Sequence, residues 1–392
     1  MDPSYYFLAI YVAVWILITA AWWAFKAERF GITGLPLYLI YRTTRLNKCI
    51  ERIATSSRTT WRTIWNLGIA TGIGLMAYIF YQLGKNLLGL LSVNYRQTAS
   101  SIQPIVPLPG LGVTFETFPY LVLALSVVVA THELSHGIAS LVDRIPLKTT
   151  GAFFAHVLMG GFVEPDEEKL SKAQNVTKLR VFAAGSYTNA VLGVLFLFLL
   201  FSFPATIAPF YNVIQTGVTI GGVPDNLPAH LSGLHAGDVV SSINGTKISN
   251  IVALRDYMNR VSPGMVVILG TQRGEFNVRT GQDPDNSTHS IIGIGGLTDS
   301  ITYQPKFYFM SSSLPIILLH AEFWLSVVLV SVALINMLPM YPFDGDKFLE
   351  TALNMIGLRR TKEIRTVANL AAYSLLLLNI GLSLYRFGFM RY

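Results

Sequence analysis

Six apolar stretches, each about 20 residues long, leave this chain few architectures to choose from. They fall at residues 6–25, 63–84, 119–142, 181–203, 319–340 and 367–387. Each is long enough to cross a hydrocarbon layer as a helix, the form in which backbone N–H and C=O groups satisfy one another. The first lacks the basic flank and small-residue cleavage site of a signal peptide, so it reads as a span. Composition agrees. Only 13% of the 392 residues are charged and 52% are hydrophobic, whereas soluble domains are about 25% charged. That excludes a disordered chain, an acidic tail protein and an ordinary cytosolic enzyme. The single cysteine, Cys49, excludes a disulfide framework and any site built on two thiolates.

Basic residues set the orientation. Segment 26–62 holds eight Lys and Arg, segment 143–180 holds six and segment 341–365 holds five. The loop at 85–118 holds only Lys85 and Arg96. Stretch 204–313, rich in Gly, Pro, Asn and Asp, holds six basic against seven acidic residues. The pattern predicts three cytoplasmic loops, with both termini and 204–313 outside. The net charge of +7 then reads as topology, with no nucleic-acid partner. The short apolar segment 35–40, followed by Arg42 and Arg45, is expected to lie in the membrane interface.

The third span contains His132-Glu133-Leu134-Ser135-His136. On a helix the two histidines are one turn apart and project from one face. Both imidazoles then reach one zinc ion, with Glu133 placed as general base toward water. His132 lies ~20 Å along the span, at 1.5 Å per residue. Ionisable side chains at such depth are costly and mark function. A third ligand is needed. His320 and Glu322 sit at the outer end of the fifth span, the wrong end, and read as interfacial polar residues. Asp344 follows the inner end of that span, where Pro339 and Pro342 break the helix and Gly345 permits a turn. Broken backbone at membrane depth is tolerated where it lines a cavity. Asp346 is a nearby competitor, expected to be solvated.

His132-Glu133-x-x-His136 in one span, with Asn336-x-x-Pro339-x-x-x-x-Asp344-Gly345 in a later one, resembles the site-2 protease family of zinc intramembrane proteases. The resemblance covers the third to fifth spans and the stretch between them. It implies His132, His136 and Asp344 as zinc ligands and Glu133 as catalytic acid/base. A third family pattern, Gly-Pro-x-x-Asn, corresponds to Gly185-Ser186-Tyr187-Thr188-Asn189, with serine in place of proline. By resemblance Asn189 lines the active site and polarises the scissile carbonyl; an interhelical hydrogen bond is the plainer alternative. Residues 151–163 are apolar, Gly-punctuated and too short to span. They read as a re-entrant β-hairpin, as in the family, with an edge strand able to pair with an unwound substrate. His156 within it reads as a packed or capping residue rather than a fourth ligand.

Within 204–313, residues 228–245 resemble a PDZ domain. Gly237-Asp238 and Asn244-Gly245 are turn signals around a strand. Segments 218–220 and 266–269 read as strands and 251–261 as a helix. PDZ domains bind peptides by strand addition; a domain that only packs on the membrane part is the alternative. Sequons at Asn244 and Asn286 face outside in this topology, and the one at Asn175 is cytoplasmic.

The expected architecture is thus a polytopic α-helical membrane protein of about six spans, with a re-entrant β-hairpin and an inserted small α+β PDZ-like domain. Its divisions are 1–117 (two spans and the basic loop), 118–203 (first part of the catalytic core), 204–313 (extracytoplasmic PDZ-like domain) and 314–392 (the rest of the core and the last span). The expected function is zinc-dependent cleavage of single-span membrane proteins within the bilayer of a cell membrane, near its cytoplasmic face. Another class of membrane metalloprotease would use a glutamate as third ligand. A metal transporter would carry ligands on several spans, and a scaffold would tolerate loss of Glu133.

Overall fold

Long uncharged stretches become long helices here, and Gly- and β-branched-rich stretches become strands. The computed structural model describes residues 3–35, 37–105, 112–155, 158–283, 286 and 288–390. The chain opens with helix α1 (Pro3–Ala24), then strands β1 (Ile32–Leu35) and β2 (Tyr38–Thr43). Helices α2 (Arg45–Ser56), α3 (Arg58–Leu91) and α4 (Tyr95–Thr98) follow. Ser57 caps α3 by accepting from the Thr60 amide. Helix α5 (Phe118–Val142) carries Pro119 in its first turn, where the missing N–H costs nothing. Strands β3 (Leu147–Ala155) and β4 (Leu158–Pro165) lead to α6 (Glu167–Lys172), capped by Asp166, and to α7 (Asn175–Phe201).

The next elements are α8 (Phe203–Ile207), β5 (Tyr211–Thr219), α9 (Pro228–Leu231), β6 (Val239–Ile243), β7 (Thr246–Lys247) and α10 (Ile251–Met258). Strands β8 (Val266–Thr271), β9 (Gly274–Arg279), β10 (Gly281–Gln282), β11 (Ser290–Ile291) and β12 (Thr298–Pro305) complete this part. The chain ends with α11 (Leu314–Asn336), α12 (Asp344–Met355) and α13 (Thr361–Phe387). Two compact units result: Ser202–Leu318 is one, and Met1–Phe201 with Leu319–Tyr392 is the other.

Among the described residues, five helices are long and apolar enough to cross a membrane: α3, α5, α7, α11 and α13. The described apolar stretch of α1 is Ala9–Ala24. In the helical unit α5 packs on α7 and β4, α3 packs on α7, and α12 packs on α7. Ile138, Ala139, Val142, Val181 and Ala184 are buried with Trp65 of α3. Leu121, Ala124 and Val128 pack on Trp324, Leu325 and Leu329 of α11. Outward faces stay apolar and exposed, with Phe198 and Phe201 on α7 and Val367 and Leu377 on α13. Such contiguous apolar surface suits lipid, not water.

The hairpin expected at 151–163 is present as β3 and β4, paired antiparallel with Gly151 opposite Phe162. It belongs to a larger sheet of order β1-β2-β3-β4, in which Arg42 of β2 lies opposite Gly151. Leu35 of β1 and residues 38–40 of β2, within the segment read as interfacial, belong to this added hairpin. Its strand signal is only a few residues long, and its partner β3 lies about a hundred positions away. β4 is the terminal strand and keeps one edge unpaired by any described strand.

The second unit holds a sheet of order β12-β5-β6-β8-β9, with β7 paired to β6. The strand between the two turn signals is β6, and Gly237 and Gly245 both take positive φ. Val240, Ile243 and Leu269 are fully buried in its core, each worth about 1.5–3 kcal/mol. Asp238 is buried, and the Arg273 guanidinium at 2.5 Å holds its carboxyl below the usual range. The sequon Asn244 sits at the exposed β6–β7 turn. Ser287, in the sequon at Asn286, and His156 both lie outside the described residues.

Candidate metal centre

The site is built by three helices. α5 presents His132 and His136 from one face, because positions four apart stack along a helix. α11 ends at Asn336, and α12 begins at Asp344 after a break that includes a cis Tyr341–Pro342 bond. The break turns the chain back on itself. A Cβ at Gly345 would come within 2.4 Å of the Leu338 carbonyl oxygen, so only glycine lets the first turn of α12 approach that closely.

Asp344 Oδ2 lies 3.1 Å from His132 Nε2 and 3.1 Å from His136 Nε2. One ligand atom from each of the three residues lies within 4.8 Å of the others. His132 and His136 are 8% and 9% exposed. His136 Nδ1 lies 2.7 Å from the Val181 carbonyl oxygen, to which only an N–H can donate. Its proton therefore sits on Nδ1, and Nε2 offers a lone pair to the same point as the carboxylate. Electron-rich atoms converging in a buried site need a cation between them. Two imidazole nitrogens and one carboxylate oxygen, open to a cavity on one side, match the donor set of a catalytic zinc site. The residues fit the metal.

Glu133 is half-buried and lines a cavity of about 760 Å³ together with His132, His136 and Asp344. Leu125, Val128, Val129 and Val332 form apolar wall; Glu167, Lys178, Lys347 and Glu350 form charged wall. Asn336, from the same motif as Asp344, also lines it. Asn189 does not. It is fully buried on α7, with its amide 3.3 Å from His132 Nδ1 and 3.2 Å from the Thr131 hydroxyl. It reaches the imidazole from behind, on the side away from Nε2. Asp346 is buried, not solvated: Arg365 of α13 donates to both its oxygens and Asn369 to one. Its partner stands on a different helix, which sequence spacing does not reveal. His320 stacks on Tyr120 at 5.4 Å and takes no part in the cluster. Sequence reasoning misses Val181, since a backbone carbonyl carries no residue signature.

The close approach of α7 to α5 rests on Gly185. A Cβ there would lie 2.4 Å from His132 Cε1. Gly185→Ala is therefore expected to displace the ring and weaken zinc binding by about 10–100-fold. Zinc titration of the purified variant measures this, and unchanged affinity would show the ring is not seated by that contact.

A His, His, Asp cluster with a glutamate beside it, among helices of spanning length, has the donor set of a catalytic metal centre. Residues 120–379, more than half of the chain, match the family described as Peptidase family M50, and the chain belongs to that family, which includes the site-2 proteases. Over 172 residues it is 28% identical to a membrane-bound transcription factor site-2 protease homolog of Arabidopsis thaliana, a match covering 42% of this chain and 33% of the relative. The chain thus spans about a third of that relative. An uncharacterized protein of Methanocaldococcus jannaschii is 24% identical over 348 residues, covering 88% of this chain and 84% of the relative. Among solved structures, the PDZ domain of an SdrC-like protein from Listeria monocytogenes matches 20% of this chain and 85% of its own length, at 26% identity and a TM-score of 0.19.

Proposed function

We propose that the chain is a zinc-dependent endopeptidase that cuts transmembrane helices of single-span proteins within the bilayer, the step known as regulated intramembrane proteolysis. The observation that carries this reading is the convergence of His132, His136 and Asp344 beside Glu133, in a cavity whose wall is apolar in one part and charged in another. Zinc held by the three residues supplies the Lewis acidity that activates water near neutral pH. Glu133 takes the proton from the attacking water and delivers it to the leaving amine. Val181 fixes the His136 tautomer. Asn189 is a positioning residue for His132. With Nε2 as ligand the ring proton sits on Nδ1, and the Asn189 carboxamide meets it with its oxygen, a half-turn about its last torsion from the arrangement in the structure.

A peptide bond in a helix is shielded, because its carbonyl is hydrogen-bonded and buried. The substrate therefore unwinds locally and pairs with the free edge of β4, whose strand also contributes Val163 to the cavity wall. In this reading α1 is the sixth span and β3–β4 dips into the membrane. The unit Ser202–Leu318 is the PDZ-like domain and takes a peptide ligand.

Scission is expected inside the hydrophobic segment of the substrate. Helix-weakening Gly or Pro near the bond should speed it, since unwinding in lipid exposes backbone groups at several kcal/mol each. Mass spectrometry of products from candidate single-span proteins decides this; scission mapped to an extramembrane loop would remove the intramembrane assignment.

The basic loops support a cytoplasmic position for the charged end of the cavity and an outside position for the second unit. In a Cys49-free chain, external thiol labelling should reach a cysteine at Asn286 and not one at Lys172. The reverse pattern would invert the orientation.

A further inference from the structure

A second cavity, of about 510 Å³, opens where three helices change from apolar to charged: the start of α3, the end of α5 and the start of α7. Its walls carry Arg62, Arg180, Lys169 and Asp143, three cations and one anion. The Asp143 side chain is 4% exposed and bridges the two arginines. Its Oδ1 accepts from Arg62 Nε at 2.9 Å and its Oδ2 from Arg180 Nη1 at 2.8 Å. Asn66 accepts from Arg180 Nε at 2.8 Å. Arg62 is held through Nε alone and Arg180 through Nε and Nη1, so these bonds leave both Nη groups of Arg62 and Nη2 of Arg180 over. Burial pushes the Asp143 carboxyl up, but the two guanidiniums outweigh it and the net direction is down. The carboxylate stays charged and offsets one of the two guanidiniums, while Asp166, 4.0 Å from Lys169, offsets part of the third cation, so the wall stays net positive.

Pre-oriented guanidiniums with donors to spare are the usual receptor for a phosphate group, because their forked N–H geometry matches its oxygens and little entropy is lost on binding. We propose that this cavity binds a phosphate-bearing anion, with Arg62, Arg180 and Lys169 as its ligands. Its position where the apolar stretches end is the depth of lipid headgroups, so the phosphate comes from an anionic lipid or from a soluble phosphate. The segment 167–180 separates this cavity from the metal cavity. Lys169, Gln174 and Thr177 face one, while Leu170, Ser171 and Lys178 face the other. A bound anion therefore contacts one face of a segment whose other face lines the metal cavity. The binding claim stands whether or not the chain is a peptidase.

The test uses the full chain, purified in uncharged detergent and then offered phosphatidylglycerol against phosphatidylcholine, with retention read by native mass spectrometry. Preferential retention of phosphatidylglycerol is expected, with a roughly tenfold loss of affinity in the double variant Arg62→Gln, Lys169→Gln. Lys169→Gln alone should show a smaller loss in the same direction. It removes no short contact, since the nearest acid, Asp166, lies 4.0 Å away, so its folding is safe. The charge-matched pair Arg359→Gln, Arg360→Gln, outside the cavity, should keep full retention. Inorganic phosphate is the second arm: if it binds and displaces the lipid, a soluble phosphate is the source, and if it does not, the lipid headgroup is. Equal retention of both lipids together with no phosphate binding, or equal losses in the cavity variants and the control pair, would overturn the proposal.

Discussion

Glu133→Gln is expected to lower peptide-bond cleavage by about 10²–10⁴-fold, the usual contribution of a positioned acid/base, while zinc content stays at that of the unaltered chain. The amide keeps the shape of the side chain but cannot take a proton from water. The effect isolates chemistry from binding, because Glu133 lines the cavity without belonging to the His132, His136, Asp344 group. Single-turnover cleavage of a fluorogenic or tagged single-span substrate measures the rate, and metal analysis of the same sample measures the zinc. A variant that still cleaves at the original rate would make Glu133 a bystander. A variant that loses zinc would make it structural.

Asp344→Ala and His132→Ala are expected to weaken zinc binding by more than ~100-fold. Even changes to groups that merely hold a ligand cost 10–100-fold, and here the ligand itself is lost. Asp344 Oδ2 faces both imidazoles at 3.1 Å, so its removal also leaves two inward-facing nitrogens without their anionic partner. Competition against a chromophoric chelator gives the affinity, and cleavage should fall in parallel. Full zinc retention in either variant would break the assignment. Arg365 offers a useful contrast, since it clamps Asp346 two positions further on and touches none of the three residues.

Much of this centre was legible because it is local. His132, Glu133 and His136 share one helix, and a four-residue spacing places the two imidazoles on one face whatever the helix packs against. The break before Asp344 was also legible, since Pro339 and Pro342 cannot continue a regular helix. Other features depend on partners far away in the chain. The β1–β2 hairpin joins its sheet through β3, about a hundred positions away in the chain. Asp346 read as solvated because its acceptors face Arg365, on another helix. Asn189 was open between a place in the active site and an interhelical hydrogen bond, and its contacts from α7 to His132 and Thr131 of α5 are of the second kind.

From the sequence by itself came the length and apolarity of the helices, the pairing of two histidines with a glutamate, and the family pattern that joins them to Asp344. The first two follow from periodicity and backbone chemistry, which act over a few residues; the third rests on the resemblance to the site-2 proteases. Tertiary structure alone decided which carbonyl sets the His136 tautomer, how closely Gly185 lets α7 approach His132, and which cations gather around Asp143. Those depend on contacts between residues tens of positions apart, whose distances are set by how the helices pack and not by any property of the residues themselves.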